Sequence, residues 1–99
     1  MSYIGWSPRA LYDLARLEAF LYEKDPEAAF RARQAIRASV EILGDRPRLG
    51  RSIEGFAPTI REWPIRFGSS GYVARYQYRG ERVTILAVRH MREDGFLDG

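Results

Sequence analysis

Two dipeptides limit what this chain can become. Ser7-Pro8 and Asp25-Pro26 each open a stretch in which apolar residues return at helical spacing. A Ser or Asp side chain accepts the free N–H groups of a first helical turn, and a proline placed directly after it lacks an N–H that would have no partner there. The first stretch sets Ala10, Leu14, Leu17 and Leu21 on one stripe, with Arg9, Asp13, Arg16 and Glu23 mostly away from it, which predicts a helix from about Pro8 to Lys24. The second carries Ala29, Ile36, Val40 and Leu43, has Glu27 near the positive end of the helix dipole, and stops at Gly44 followed by Pro47. Two amphipathic helices joined by so short a capping turn pack as an antiparallel hairpin.

Around that hairpin the period is different. Before it, Tyr3 to Trp6 is a short run of β-formers; after it, the Gly- and Pro-rich stretch PRLGRSIEGFAP gives way to strand-like alternation. Thr59 to Phe67 places Arg61, Trp63, Ile65 and Phe67 on one face, with Pro64 marking an edge position or a bulge. GSSG then turns the chain, YVARYQYR makes a second strand, GE turns it again, and RVTILAVRH makes a third, apolar enough to lie centrally in the sheet. The expected fold class is α+β, in the order β-α-α-β-β-β, with the helix hairpin packed on one face of a small antiparallel sheet. At 99 residues, the whole of 1–99 is expected to form one domain.

Composition closes off other classes. Hydrophobic residues make up 45% and charged residues 29%, the balance of a folded globular domain. With no cysteine and a single histidine, neither a disulfide framework nor a zinc centre is expected, and no other cofactor is implied. The N-terminal residues lack a basic segment followed by an unbroken apolar run, so a cytoplasmic location without membrane contact is expected. The net charge is +3, and Lys24 is the only lysine among the 16 basic residues. Arginine forms planar bidentate contacts with carboxylate and phosphate and stacks on aromatic rings, which suits interfaces; a GC-rich genome gives the same bias. No GxSxG elbow and no phosphate-loop spacing is present.

The stretches LARLEAFLYEKDPEAAFRARQAI, RPRLGRSIEGF, GYVARYQY and VTILAVRHMRED, in this order and spacing, resemble the RelE/ParE superfamily of toxins from type II toxin–antitoxin systems over almost the whole chain. The resemblance implies a small toxin held inactive by a cognate antitoxin, in a hetero-oligomer whose flexible antitoxin segment wraps basic and apolar surfaces. Toxins of the RelE branch cut messenger RNA in the ribosomal A site, whereas those of the ParE branch are associated with DNA gyrase inhibition. RNA-cutting relatives typically open the second strand of the meander with a basic residue, where this chain has Tyr72 in GYVARY. Such relatives also tend to end in a tyrosine or a further basic residue, where this chain has HMREDGFLDG, with Met91 unable to transfer a proton and Glu93, Asp94 and Asp98 repelling phosphate. The likeness is therefore closer to the ParE branch, with DNA gyrase as the expected target, a ParD-like antitoxin as partner, and the ribosome and mRNA as the alternative.

Individual residues carry both readings. A nuclease would draw on Glu54 or His90 as base or acid, with Arg61, Arg75 and Arg89 to stabilise phosphate charge. A binding protein would use Arg46, Arg48 and Arg51 as a basic strip, together with Arg61, Trp63, Arg89, His90 and Arg92. His90 also fits a purely structural role, as the last residue of a central strand bonded to neighbouring backbone. Trp63, Tyr72, Tyr76 and Tyr78 suit either base stacking or packing across strands, and a basic nucleic-acid module without toxicity is a third possibility.

Overall fold

A computed structural model describes residues 3–96. Its elements follow one another as β1 (Tyr3–Trp6), α1 (Pro8–Tyr22), α2 (Pro26–Asp45), β2 (Arg51–Ser52), β3 (Ile60–Phe67), β4 (Ser70–Arg79) and β5 (Arg82–His90). Both expected helix caps form. Ser7 Oγ accepts the Ala10 N–H at 3.0 Å, and Asp25 Oδ1 accepts those of Glu27 and Ala28 at 3.1 and 3.2 Å. The second helix stops differently from expectation: Gly44 lies buried inside α2, and the chain leaves at Arg46, with φ −133° and ψ 71°. Pro47 accounts for this, because a proline ring drives the residue before it out of the helical region. Among the described residues, no helix is long and apolar enough to cross a membrane.

The strands form one sheet in the order β1-β5-β4-β3-β2. β3, β4 and β5 make the expected antiparallel meander, and β5 has neighbours on both sides. Two features differ from expectation. β1 runs parallel to β5, with Ile4 opposite Val83 and Trp6 opposite Ile85, so the sheet is mixed. A parallel pair needs a crossover rather than a tight turn, and the helix hairpin begins that crossover. Within the loop before β3, Arg51 and Ser52 pair with Glu62 and Arg61 as a two-residue edge strand. β2 covers no more than that, so Pro64 stands on the open edge of β3, where its missing N–H leaves no ladder bond unmade.

Both helices lie on one face of the sheet. Leu14, Leu17, Ala32, Ile36, Val40 and Leu43 pack against Ile65, Tyr72, Ala74, Tyr76, Val83, Ile85 and Val88. Tyr76 is fully buried, yet its hydroxyl is satisfied: it donates to the Pro47 carbonyl at 2.6 Å and accepts the Gly50 N–H at 2.9 Å. A Cβ on Gly50 would come within 2.5 Å of that hydroxyl oxygen, so the close approach needs glycine. Trp63 docks β3 on α2, its indole N–H donating to Ser39 Oγ at 2.9 Å and to the Ser39 carbonyl at 3.2 Å.

β1 ends opposite Ile85, and beyond that point the outer edge of β5 has no strand beside it. Side chains close the edge instead. Ser7 donates its N–H to the Ile85 carbonyl at 2.9 Å and its hydroxyl to the Leu86 carbonyl at 3.0 Å. Asp13 Oδ2 accepts the Val88 N–H at 2.9 Å, and Glu93 Oε1 accepts the His90 N–H at 2.8 Å. Asp13, expected away from the apolar stripe, is therefore fully buried, because a buried edge donor requires an acceptor. Its other oxygen, Oδ1, meets Arg16 Nε at 3.2 Å and Arg9 Nε at 3.7 Å. Arg16 then reaches on to Glu93, with Nη1 and Nη2 donating to Oε2 and Oε1 at 3.0 and 3.2 Å. One guanidinium thereby joins a carboxylate of α1 to the turn after β5.

The charges respond accordingly. Burial alone would raise the Glu93 carboxyl, but hydrogen bonds from Arg16 and the His90 N–H, together with the Arg16 charge, hold it below the ordinary glutamate value. Burial likewise opposes the charge on Arg16, and the bonds from Glu93 and Asp13 outweigh it, so Arg16 is held more firmly protonated than a free arginine.

Asp13→Ala strands the Val88 N–H and removes a partner from two guanidinium groups. Urea unfolding should register a loss of about 2–4 kcal/mol, and clearly less for Asp13→Asn, which keeps an acceptor for Val88. Equal losses for the two variants would mean that the Val88 bond contributes nothing. For Glu93 the sign follows from linkage: a carboxylate whose folded pKa lies below its unfolded one stabilises above the unfolded value and ceases to do so as pH falls through the folded one. The stability difference between wild type and Glu93→Gln should stay level above pH ~6 and shrink below pH ~4.3, the ordinary glutamate value. A difference unchanged down to pH ~2, well below that value, would mean that the Glu93 charge contributes nothing to stability.

Candidate functional site

Between α1 and the β3–β4 hairpin the surface sinks into a groove of about 820 Å³. Leu17, Phe20, Leu21, Phe67 and Tyr72 supply its apolar lining, and Arg16, His90, Arg92 and Glu93 supply most of its charge and polarity. The helix brings Arg16 and Phe20 to one side because residues four apart share a face, and the cross-strand pair Tyr72 and His90 forms the floor at the sheet end. Phe20 is 66% exposed, with the Lys24 ammonium 5.0 Å from its ring centre. Tyr72 sets its ring 6.3 Å from Phe67 and edge-on to His90, at 5.4 Å and 89°. Burial raises the Tyr72 phenol, which therefore stays protonated.

His90 is tied down by local backbone. Its Nδ1 accepts the Arg92 N–H at 3.1 Å. A main-chain N–H can only donate, so the neutral imidazole carries its proton on Nε2. A general base acting through Nε2 would need the other tautomer.

The sheet face turned away from the helices holds a second group. Arg75 lies with its guanidinium carbon 4.7 Å from the Phe56 ring centre and 4.3 Å from that of Phe96, and it donates to Glu62 Oε2 at 3.3 Å. Arg89, its diagonal neighbour on β5, lies 5.2 Å from Phe96 and donates through Nη1 to the carbonyls of His90, Met91 and Glu93 at 3.2, 3.4 and 3.1 Å. Cation–π stacking of this kind holds a guanidinium without giving it an acceptor, and Nε of both Arg75 and Arg89 is buried with no partner among the described residues.

The remaining candidates fall elsewhere. Arg61 staples the loop before β3, donating to the carbonyls of Gly50, Arg48 and Pro58 at 2.9, 3.3 and 3.2 Å. Glu54 is exposed in that loop, and Arg46, Arg48 and Arg51 are exposed beside it as a basic strip, with Arg51 3.4 Å from Glu62. Trp63 is half-buried against α2. Glu62 faces Arg75 while Arg61 faces Tyr76, so Arg61 and Arg75 project from opposite sides of the sheet. His90 pairs with Tyr72 and Arg61 with Tyr76, a spacing of ~13 Å along β4 at strand rise. Arg61, Arg75 and His90 thus occupy three separate places, and Asp98 lies outside the described residues.

Arg16, Phe20 and Glu93 were not singled out as candidates for binding. The pattern Arg9, Asp13, Arg16 was the available signal: a carboxylate flanked by arginines at positions four before and three after it lies on one helix face and serves as a node for charge.

Known proteins agree with this architecture. A family model described as the ParE toxin of type II toxin–antitoxin system, parDE, matches residues 4–95. Toxin RelE1 of Caulobacter vibrioides is 40% identical over 84 residues, covering 85% of this chain and 87% of that protein. Toxin RelE3 of the same organism is 34% identical over 93 residues, covering 94% and 98%. A solved structure of the chromosomal ParDE TA system from P. aeruginosa shares the fold, with a TM-score of 0.71 at 22% identity, over 91% of this chain and 96% of that one. On the breadth of the family match and the identity to these relatives, the chain belongs to the ParE toxin family of type II toxin–antitoxin systems.

Proposed function

We propose that the protein acts by contact, binding DNA gyrase directly and inhibiting it, and that a ParD-type antitoxin neutralises it. The observation that carries this reading is the commitment of its polar groups. His90 gives its Nδ1 to the Arg92 N–H, Arg61 and Arg89 spend donors on carbonyls, and Arg75 is taken by Glu62 and two aromatic rings. RNA cleavage needs a base, an acid and cations aimed at one phosphate. Side chains that hold the backbone in place instead shape a rigid surface.

Such a surface has two basic regions: the exposed strip of Arg46, Arg48 and Arg51, and the groove with His90 and Arg92. The groove reaches the end of β3 at Phe67 and combines apolar wall with cationic rim. An antitoxin segment that folds on contact can bring an amphipathic helix or an added strand, with acidic residues for the arginines.

One arrangement favours the alternative, a RelE-like ribosome-dependent mRNA endoribonuclease: the groove gathers His90, Glu93, Arg16 and Arg92, and two relatives carry RelE names. A paired assay on toxin freed from its antitoxin separates the two. Gyrase supercoiling should be inhibited while ribosome-bound message stays intact. Codon-positioned cuts in message that disappear in His90→Ala, with supercoiling untouched, would establish the nuclease instead.

A further inference from the structure

Glu93 sits where a partner's carboxylate would bind best. It faces the groove with both oxygens on Arg16, the cation at the centre of the groove's polar side, and it is part of the same chain. We infer that Glu93 is a placeholder: when the groove fills, an acidic residue of an incoming peptide segment takes its position on Arg16. This deepens the reading above, because it rests on the groove receiving the antitoxin.

Three observations support the exchange. The pair is reachable, with the Arg16 and Glu93 side chains 21% and 31% exposed. Arg16 keeps its aim when Glu93 leaves, since its Nε remains on the fully buried Asp13, and a guanidinium fork held at one end presents its other two donors ready for a second carboxylate. The Glu93 side chain can swing out with its backbone left in place, because the turn after β5 is held by the Glu93 N–H on the His90 carbonyl at 3.0 Å and by Arg89 Nη1 on the Glu93 carbonyl at 3.1 Å, and the swing frees one edge donor, the His90 N–H. The last tie to the neighbouring strand is made earlier, by the Met91 N–H on the Gly71 carbonyl.

The exchange also specifies the visitor. Trading one bidentate carboxylate for another is nearly neutral on Arg16 but costs the His90 N–H its acceptor, so the net gain must come from apolar burial next to it. Leu17, Phe20 and Leu21 run along the same helix flank as Arg16, which calls for a segment with a carboxylate followed by apolar side chains at helical or alternating spacing. A phosphodiester would satisfy Arg16 but leave that apolar wall wet.

The probe is the cognate antitoxin, titrated back onto toxin released from their complex. Glu93→Gln removes the internal competitor and should tighten rebinding about tenfold. Arg16→Gln should weaken it, and in that background the gain from Glu93→Gln should vanish. Amide exchange gives a readout without substitution: the His90 N–H loses its acceptor when Glu93 swings out, so it should exchange faster in the wild-type complex than in free toxin. Phe20→Glu reports on the groove itself. If it leaves affinity unchanged, the groove reading fails and the inference with it. If it weakens binding while Glu93→Gln does not tighten it, or while the His90 amide stays protected in the complex, the groove stands and the placeholder is overturned. Tighter binding of a short uridine oligonucleotide by Glu93→Gln, with no change for the antitoxin, would likewise overturn it.

Discussion

The structure depends on closing one edge. β1 covers only the first half of β5, and every backbone group beyond Ile85 on that side must find a partner from elsewhere. Ser7, Asp13 and Glu93 provide them for the Leu86 carbonyl, the Val88 N–H and the His90 N–H, from the start of α1, its second turn and the turn after β5. Asp13 matters most among these, because it is fully buried and at the same time orients Arg16. An apolar side chain at that position would pack as well against Leu14 and Leu17 but would leave the Val88 N–H without a partner, and α1 would lose its fixed setting on the sheet.

From that setting the surfaces follow. With α1 held at the β5 edge, its later turns and the β3–β4 hairpin enclose the groove, and Arg16 is positioned at the groove by the same carboxylate that secures the helix. On the opposite face, Arg75 and Arg89 are covered by Phe56 and Phe96 rather than by a helix. Polar chemistry is thus distributed along structural joints. A toxin acting by contact, as proposed for this chain, needs rigid, charged relief more than it needs a proton-transfer pair.

Much of this was legible in the residues. Caps at Ser7 and Asp25, the stripes led by Leu14 and Ile36, and the apolar run of β5 are local signals, and local physics decides them. Pro64 reported its own edge position for the same reason. What stayed hidden depends on distant contacts. Nothing in Tyr3–Trp6 states which strand it joins or in which direction, and Asp13 looks like any solvated helix residue until the Val88 N–H is brought against it from 75 positions away. Gly44 misled because glycine ends a helix only where the backbone turns left-handed, and here Pro47 ended it first. The groove was unreadable because Glu93, Tyr72 and Phe67 meet Arg16 and Phe20 only through tertiary packing.

Two of the histidine's polar groups, its main-chain N–H and Nδ1, are occupied, and this occupation is what separates a contact surface from a catalytic one. Groups with catalytic chemistry are spent here on holding the backbone. Long-range proton–nitrogen NMR of the His90 ring in alkaline buffer tests this directly. The expected result is a neutral imidazole protonated on Nε2, with Nδ1 accepting from the Arg92 N–H. A ring protonated on Nδ1, leaving Nε2 bare and facing the groove as a base, would contradict it.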